Sequence, residues 1–331
     1  MKPIFKSNSP IAVVFGGSGF IGRYIVNRLI RSGYMVRVAV RKPNEAFFLK
    51  TYGEVGQIEI VGCSILNIES VEKCIEGSSV VINCVAGALS ETKLKNFEKS
   101  YVLGPEIIAQ SSASLGVKKL IHISSIGVDA SSDSMYSRTK AKGEEKVLNY
   151  FPKAIIFRPS LVFGHEDQFF NRFASMATYS PIIPIVGSGS KFQPVYVNNI
   201  ADAVDRALVK NDVSGIYELG GPEILTYEEL MKKMLIIARR KRIIFSLPLL
   251  AAKSLALGFS ILKSLTAGLV DPPITLDNIK QLGKDNLVSP SAKSFADLDI
   301  IPDNLDSVLP SYLYRYRPHG QYNETTESAR K

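Results

Sequence analysis

A chain of 331 residues in which 46% are hydrophobic and 21% charged has the composition of a packed globular protein, which excludes intrinsic disorder. The length exceeds one ordinary core, so one large domain with a smaller appended lobe is expected. Forty Lys and Arg against 31 Asp and Glu leave a net charge of +9, which admits a phosphate-bearing ligand, an anionic membrane surface or nucleic acid as partner. Cys63, Cys74 and Cys84 fall in segments that read as buried strand or helix, which suits a reducing, intracellular setting. With only His122, His165 and His319, and no Cys or His pair at ligand spacing, no metal site is expected. Residues 1–10 carry neither a secretory apolar core nor a long Arg-rich amphipathic leader, so the protein is expected to be made where it works or to be already processed.

From Ile11, short β-branched runs alternate with helical patterns: IAVVF at 11–15, a helix over 21–32, YMVRVAV at 34–40, IEIVG at 58–62, SVVINCVAG at 79–87, a helix over 96–115 and KKLIHISS at 118–125. A sixth strand is expected at AIIFRPS, 154–160. Strands alternating with helices make right-handed βαβ units and a parallel sheet covered on both faces. The fold class is therefore α/β, a Rossmann-type doubly wound sheet, with a smaller C-terminal α/β lobe. The boundaries are 1–193 for the nucleotide domain, 194–315 for the lobe and 316–331 for a polar, disordered tail. Residues 161–193 read as irregular. PVYV, a helix over 199–210, GIYELGG and a helix opening at Thr226, which forms a capping box with Glu229, are assigned to the lobe.

Directly after the first strand comes Gly16-Gly17-Ser18-Gly19-Phe20-Ile21-Gly22, then a helical pattern. Gly16 makes the sharp turn, Gly19 lets backbone approach a pyrophosphate and Gly22 allows close helix packing, so the free amides at the helix start face phosphates. An NAD site ends its second strand with Asp or Glu about 20 residues past the glycines. Here Arg41 occupies that place, followed by Lys42. A guanidinium grips a 2′-phosphate with two hydrogen bonds, which favours NADP(H) over NAD(H). The other reading of Arg41 is a solvated strand-end cation at a site that takes either cofactor.

GGSGFIG, the NCVAG after strand four and the pair Tyr136-x-x-x-Lys140 resemble the extended and atypical short-chain dehydrogenase/reductase superfamily, the NAD-dependent epimerase/dehydratase group. Phe157-Arg158-Pro159-Ser160-x-Val162-Phe163-Gly164-His165-Glu166-Asp167-Gln168-Phe169 and Gln193-Pro194-Val195-Tyr196-Val197 resemble one branch of it, the NADPH-binding accessory subunits of respiratory complex I. The resemblance implies Tyr136 as general acid/base, Lys140 as the residue that holds the nicotinamide ribose and lowers the tyrosine pKa, and Ser125, or second Ser124, as the group that orients a carbonyl. The serines also read as caps of the next segment. Val85, Ala86, Gly87 and Pro159 are implied to border the cofactor. Two positions depart from the pattern: Cys63 stands where the family carries an adenine-contacting Asp, and Tyr101 where many members carry Asn. A thiol is a weak hydrogen-bond partner, so these departures weigh against turnover more than against binding. The loop over 126–135 is short, which favours a small substrate or none.

Arg239-Arg240-Lys241-Arg242 precedes a long apolar run broken by Pro248, Lys253 and Lys263, so no transmembrane helix is expected. Residues 238–268 read as a basic amphipathic segment that lies against an anionic membrane or a partner subunit, or else as a helix of the lobe's own core. Nucleic acid is not expected, because no recognition motif accompanies the basic residues. Two functions follow. One is an NADP(H)-binding accessory subunit of a complex I type NADH:quinone oxidoreductase, its cofactor mainly structural. The other is a free reductase or epimerase-like enzyme using Tyr136 and Lys140. The expected location is the bacterial cytoplasm, peripheral to the inner membrane, or the matrix side if organellar.

Overall fold

A computed structural model describes residues 9–87, 93–210, 212–248, 251, 252, 254, 276–318 and 320. The chain divides into two compact units that interleave: Met1–Pro159, Val197–Leu219 and Ser289–Ile301 form the first, and Ser160–Tyr196, Gly220–Val288 and Pro302–Lys331 the second.

The first unit carries the βαβ alternation: β1 Ile11–Phe15, α1 Phe20–Arg31, β2 Met35–Val40, β3 Ile58–Gly62, α2 Ile68–Ile75, β4 Val80–Asn83, α3 Leu94–Glu98, α4 Gly104–Ser114, β5 Lys119–Ile123, α5 Met135–Tyr150 and β6 Ile155–Pro159. With strand Gly215–Leu219 they build a seven-stranded sheet in the order Gly215–Leu219, β6, β5, β4, β1, β2, β3, every neighbouring pair parallel. This is the doubly wound order in which the chain runs outward from β1 to β3 and then returns to β4 on the other side. Ala12, Val13, Val14 and Phe15 are wholly buried, which is why β1 reads as a continuous apolar run rather than an alternating one. Val13 and Phe15 pack with Val71, Ile75 and Ile108 of α2 and α4. Each such side chain contributes about 1.5–3 kcal/mol by leaving water.

Three details differ from the sequence expectation in this unit. Helix Val197–Val209 and strand Gly215–Leu219, which the sequence pattern places in the lobe, belong here. The strand extends the sheet beside β6, with Ile216 opposite Ile156, and the helix pairs with α1 through Arg28–Asp202 and Ser32–Asp205. Hydrophobic pattern identifies a strand but not the sheet edge it joins. The expected helix over 96–115 is broken by a π-helical turn, Lys99–Leu103, between α3 and α4. There the Tyr101 carbonyl lies against α5 so closely that a Cβ at Gly143 would stand 1.8 Å from it.

In the second unit, residues 161–193, expected to be irregular, contain strand Val162–Phe163, helix Phe170–Tyr179 and strands Ile182–Val186 and Lys191–Phe192. The aromatic residues that broke the sequence pattern are its core: Phe163 and Phe170 pack with Leu230, Met231, Met234 and Leu309. Helix Tyr227–Ile237 opens with the expected capping box, Glu229 N donating to Thr226 Oγ1 at 3.2 Å and Thr226 N to Glu229 Oε2 at 2.7 Å. The buried Tyr312 hydroxyl donates to Asp167 at 2.5 Å, tying the C-terminal helices to the loop after Gly164. Residues 243–247 of the basic amphipathic segment form a strand parallel to Ile182–Val186 rather than a helix. From 249 onward that segment lies outside the described residues, save 251, 252 and 254. Of the tail expected to be disordered, Tyr316 and Arg317 pack in this unit, with Arg317 Nε donating to Ile237 O at 3.0 Å. Residues 319 and 321–331 lie outside the described residues. Among the described residues no helix is long and apolar enough to cross a membrane.

Lys119, at the start of β5, closes the C-terminus of helix Val197–Val209: its Nζ donates to Ala207 O at 2.7 Å, Leu208 O at 2.9 Å and Lys210 O at 2.6 Å. These are carbonyls that a helix end leaves unpaired, and a cation there also opposes the helix dipole. Lys119→Met is expected to destabilise the protein by about 1–3 kcal/mol in urea unfolding, with the sheet's circular dichroism retained.

Candidate functional site

β1 ends at Phe15 and α1 begins at Phe20, so the chain reverses across Gly16 to Gly19. Gly16 has φ +74°, and a Cβ there would meet the carbonyl group of Cys84, just past β4, at 3.1 Å. A Cβ at Gly22 would stand 2.3 Å from the Gly16 carbonyl oxygen. Only glycine serves at both positions. Gly19 caps α1 without a side-chain hydrogen bond, and the helix has no acidic residue in its first turn. Its first amides therefore present the positive helix end with no side-chain cap over it.

This turn lies where strand order reverses between β1 and β4, and there a cleft of about 720 Å³ opens. Of the expected cofactor residues, Gly16, Ser18 to Gly22, Arg41, Cys63 and Val85 to Gly87 line it. Among the described lining residues the charged ones are Arg41 and Lys99, and none is acidic. Such a wall fits a polyanion whose diphosphate meets the α1 amides. Lys42 is not on this wall: its Nζ pairs with Glu45 Oε1 at 2.8 Å, both side chains exposed. Ser64, Ile65 and Leu66 after β3, and Asn96, Lys99 and Ser100 before α4, line the cleft and were missed from sequence. The first three were findable, because carboxyl ends of parallel strands form the rim of such clefts. Lys99 carries no sequence signal; the π-helical turn brings it there.

Ser125, Tyr136 and Lys140 do not line the cleft; they form a group of their own, which Tyr101 joins to Gly87. Tyr136 OH donates to Ser125 Oγ at 3.2 Å, and the Lys140 ammonium stands 5.2 Å from the Tyr136 ring centre. Tyr101 joins this group to the cleft: its hydroxyl accepts from Gly87 N at 2.9 Å, its ring meets Tyr136 edge-on at 5.3 Å, and it too lies under Lys140, at 5.5 Å. Ser124 is turned away from them, its hydroxyl bonded to the buried Glu144, which pairs with Arg158 at 2.5 Å. Between the two candidate serines, Ser125 is thus the one beside Tyr136. Pro159 ends β6, where its carbonyl accepts from Ile126 N at 3.0 Å, and it does not line the cleft.

The sequence profile of the NAD dependent epimerase/dehydratase family matches residues 12–220. The chain belongs to this family. It is 34% identical over 318 residues to the mitochondrial NADH dehydrogenase (ubiquinone) 1 alpha subcomplex subunit 9 of Arabidopsis thaliana, a match spanning 94% of this chain and 79% of that relative. The mitochondrial NADH-ubiquinone oxidoreductase 40 kDa subunit of Neurospora crassa is 33% identical over 325 residues, 97% of this chain and 84% of that one. The fold is also that of a solved UDP-glucose 4-epimerase from Thermotoga maritima, with TM-score 0.69, 19% identity and coverage of 97% and 100%.

In this member of the epimerase/dehydratase family the loop after β4 is held from behind. Asn83 Oδ1 accepts from Val85 N at 3.0 Å, and Asn83 Nδ2 donates to His122 Nδ1 at 3.1 Å, on the neighbouring strand. Burial, aided by the charge of Lys140, pushes the His122 pKa down to about 3, so the imidazole stays neutral and accepts. The unfolded chain, with an ordinary histidine, binds a proton between about pH 6.5 and 3 that the folded chain refuses. This group's contribution is full above pH 6.5 and falls as pH drops towards 3. His122→Gln, which keeps an acceptor without the titration, is expected to flatten the acid limb of the stability curve by up to about 1.4 kcal/mol per pH unit.

Proposed function

We propose that this chain is an NADP(H)-binding accessory subunit of a complex I type NADH:quinone oxidoreductase, in which the bound cofactor serves mainly to hold the fold. The assignment to complex I is supported by likeness to the named subunits through both units of the chain. The location of such a subunit is peripheral, on the cytoplasmic face in a bacterium or the matrix side in an organelle. The cofactor reading is carried by one observation, a glycine-walled cleft at the start of α1 with cations and no described carboxylate on its walls. The amides of Phe20, Ile21 and Gly22 take the diphosphate, and the exposed Arg41 guanidinium takes the 2′-phosphate through paired hydrogen bonds. When bound, the dinucleotide supplies hydride chemistry at its nicotinamide. A ligand that binds only the folded state stabilises it by about 2.7 kcal/mol at a hundredfold excess over its dissociation constant.

A second reading is favoured by a specific geometry, the contact of Tyr136 with Ser125 beneath Lys140. That trio suits a reductase in which the tyrosine delivers a proton to a substrate oxygen held by Ser125. Tyr101, packed edge-on against Tyr136, narrows the room for a substrate and so weighs towards the accessory role.

Two experiments decide between these readings. The protein purified without added nucleotide is expected to carry NADPH, seen by native mass spectrometry, and to comigrate with the respiratory complex on native gels. Added carbonyls or quinones are expected not to oxidise that cofactor; steady turnover that disappears in Tyr136→Phe would establish the reductase instead. For cofactor choice, Arg41→Ala is expected to weaken NADPH binding by about 1.5–3 kcal/mol while leaving NADH nearly unchanged, measured by calorimetry. Equal loss for both would show that Arg41 does not touch the 2′-phosphate.

A further inference from the structure

Of the cations described on the wall of the cleft, Arg41 and Lys99, the nucleotide reading uses only the first. The ligand it assigns carries two anionic groups, a 2′-phosphate and a diphosphate. Arg41 meets the 2′-phosphate. The diphosphate carries two negative charges, whereas one helix end presents the equivalent of about half a positive charge, so the α1 amides leave most of that charge unbalanced.

Lys99 comes to the cleft from the sheet face opposite α1. Val13 and Phe15 of β1 pack with Ile108 and Ala109 of α4, whereas Val14, between them, faces Gly17 and Val26 on the α1 side. α3, the π-helical turn Lys99–Leu103 and α4 follow one another without a break, and the turn is tied to the rim on both flanks. On one flank Gly104 lies against Ile65, after β3, so closely that a Cβ would overlap that side chain. On the other, the Tyr101 hydroxyl accepts from Gly87 N, after β4, at 2.9 Å. In the sheet β1 lies between β4 and β3, so a turn anchored at both of their rims faces the end of β1, where α1 begins. The extra residue of the π turn matters here: at 3.6 residues per turn it rotates what precedes it by about 100° relative to α4. A regular helix would carry Lys99 round and away from the cleft.

We propose that Lys99 is a binding residue for the diphosphate, pairing with it from the side of the cleft opposite the α1 amides, while Arg41 selects the 2′-phosphate. This assignment rests on the nucleotide reading given above and deepens it. The two cations then do different work. The diphosphate is common to NADH and NADPH, so Lys99 supplies affinity for both, whereas Arg41 tells them apart. The side chains suit those tasks: an ammonium on a flexible stem is a point charge that follows a diphosphate oxygen, and a guanidinium fork matches one phosphate in a fixed orientation.

The test titrates the full chain with NADPH and with NADH by calorimetry, comparing the wild type with Lys99→Met, Lys99→Arg and Arg41→Ala. Lys99→Met is expected to weaken both nucleotides about tenfold, the low end for a hydrogen bond between charged groups because this side chain is exposed. Its remaining binding is expected to fall less than the wild type's when salt rises from about 0.05 M to about 0.3 M, since one screened pair is gone. Lys99→Arg, which keeps the charge, is expected to restore most of the affinity. A loss confined to NADPH would put Lys99 on the 2′-phosphate and overturn the assignment. Wild-type affinity for both nucleotides in Lys99→Met, or weaker binding with an unaltered salt response, overturns it as well. A second measurement needs no variant: in acetic anhydride labelling read by mass spectrometry, either nucleotide is expected to shield Lys99, while Lys73, exposed on α2, is labelled equally throughout. Equal labelling of Lys99 with and without bound nucleotide refutes the contact. If Arg41→Ala still lowers NADPH binding selectively while Lys99→Met binds as the wild type does, the Lys99 assignment alone fails. If the wild type binds neither nucleotide, the nucleotide reading fails and takes this assignment with it.

Discussion

The contact on which the rest of the site depends is the one between Gly16 and Gly22. The Gly16 carbonyl accepts the Gly19 amide at 3.0 Å and lies where any side chain at Gly22 would collide with it. That closeness lets α1 begin almost at the edge of the sheet, so its uncapped amides face the cleft rather than solvent beyond it. It also requires the loop after β4 to pass within van der Waals contact of Gly16, which brings Val85 to Gly87 to the opposite wall. A strand and a helix so tightly joined leave no backbone freedom with which the cleft could adjust, and a rigid cradle is what recognition of a diphosphate needs.

Behind this cradle, two chains of buried polar groups satisfy one another. Asn83 and His122 hold the loop after β4 from within the sheet. A second chain crosses the strands: Ser124 bonds to Glu144, Glu144 pairs with Arg158, Arg158 approaches Glu218 at 3.5 Å, and Glu218 accepts from Ser289 N at 2.8 Å. Burial opposes the Arg158 charge, but the two glutamates outweigh it and raise its pKa. Removing Arg158 would leave the buried Glu144 and Glu218 carboxylates without their shared counter-charge, at a cost of about 3–5 kcal/mol. The chain binds strand Gly215–Leu219, which returns from far along the sequence, to β6 and α5. It thereby fixes the same strand ends that carry Ser124 and Ser125.

Tyr101 links the two halves of the site. The π-helical turn adds a residue to the helix and brings Lys99 to the cleft and Tyr101 to the Gly87 amide, and Gly143 makes room for the turn's backbone. Local π turns mark functional positions in many helices, because they place a side chain where a regular helix would not. Here the outcome is a cofactor loop and a tyrosine pair that share one lysine, so the geometry of Tyr136 and that of the cleft wall are set together.

The amino-acid sequence by itself determined the features whose causes are local. β1 to β6, helix α1, the turn from Gly16 to Gly22, the position of Arg41 after β2 and the Thr226–Glu229 cap each rest on residues close together in the chain, where glycine sterics, hydrophobic period and capping chemistry act directly. Tertiary structure alone decided the rest. It placed helix Val197–Val209 and strand Gly215–Leu219 in the first unit, because an open sheet edge accepts any strand of suitable pattern. It built helix and strands from 161–193, because the phenylalanines that blur the period there find a shared core. It turned Lys42 to Glu45, put Lys99 on the cleft and separated Ser125 from Ser124, because which partner a side chain meets depends on distances that spacing along a chain does not encode.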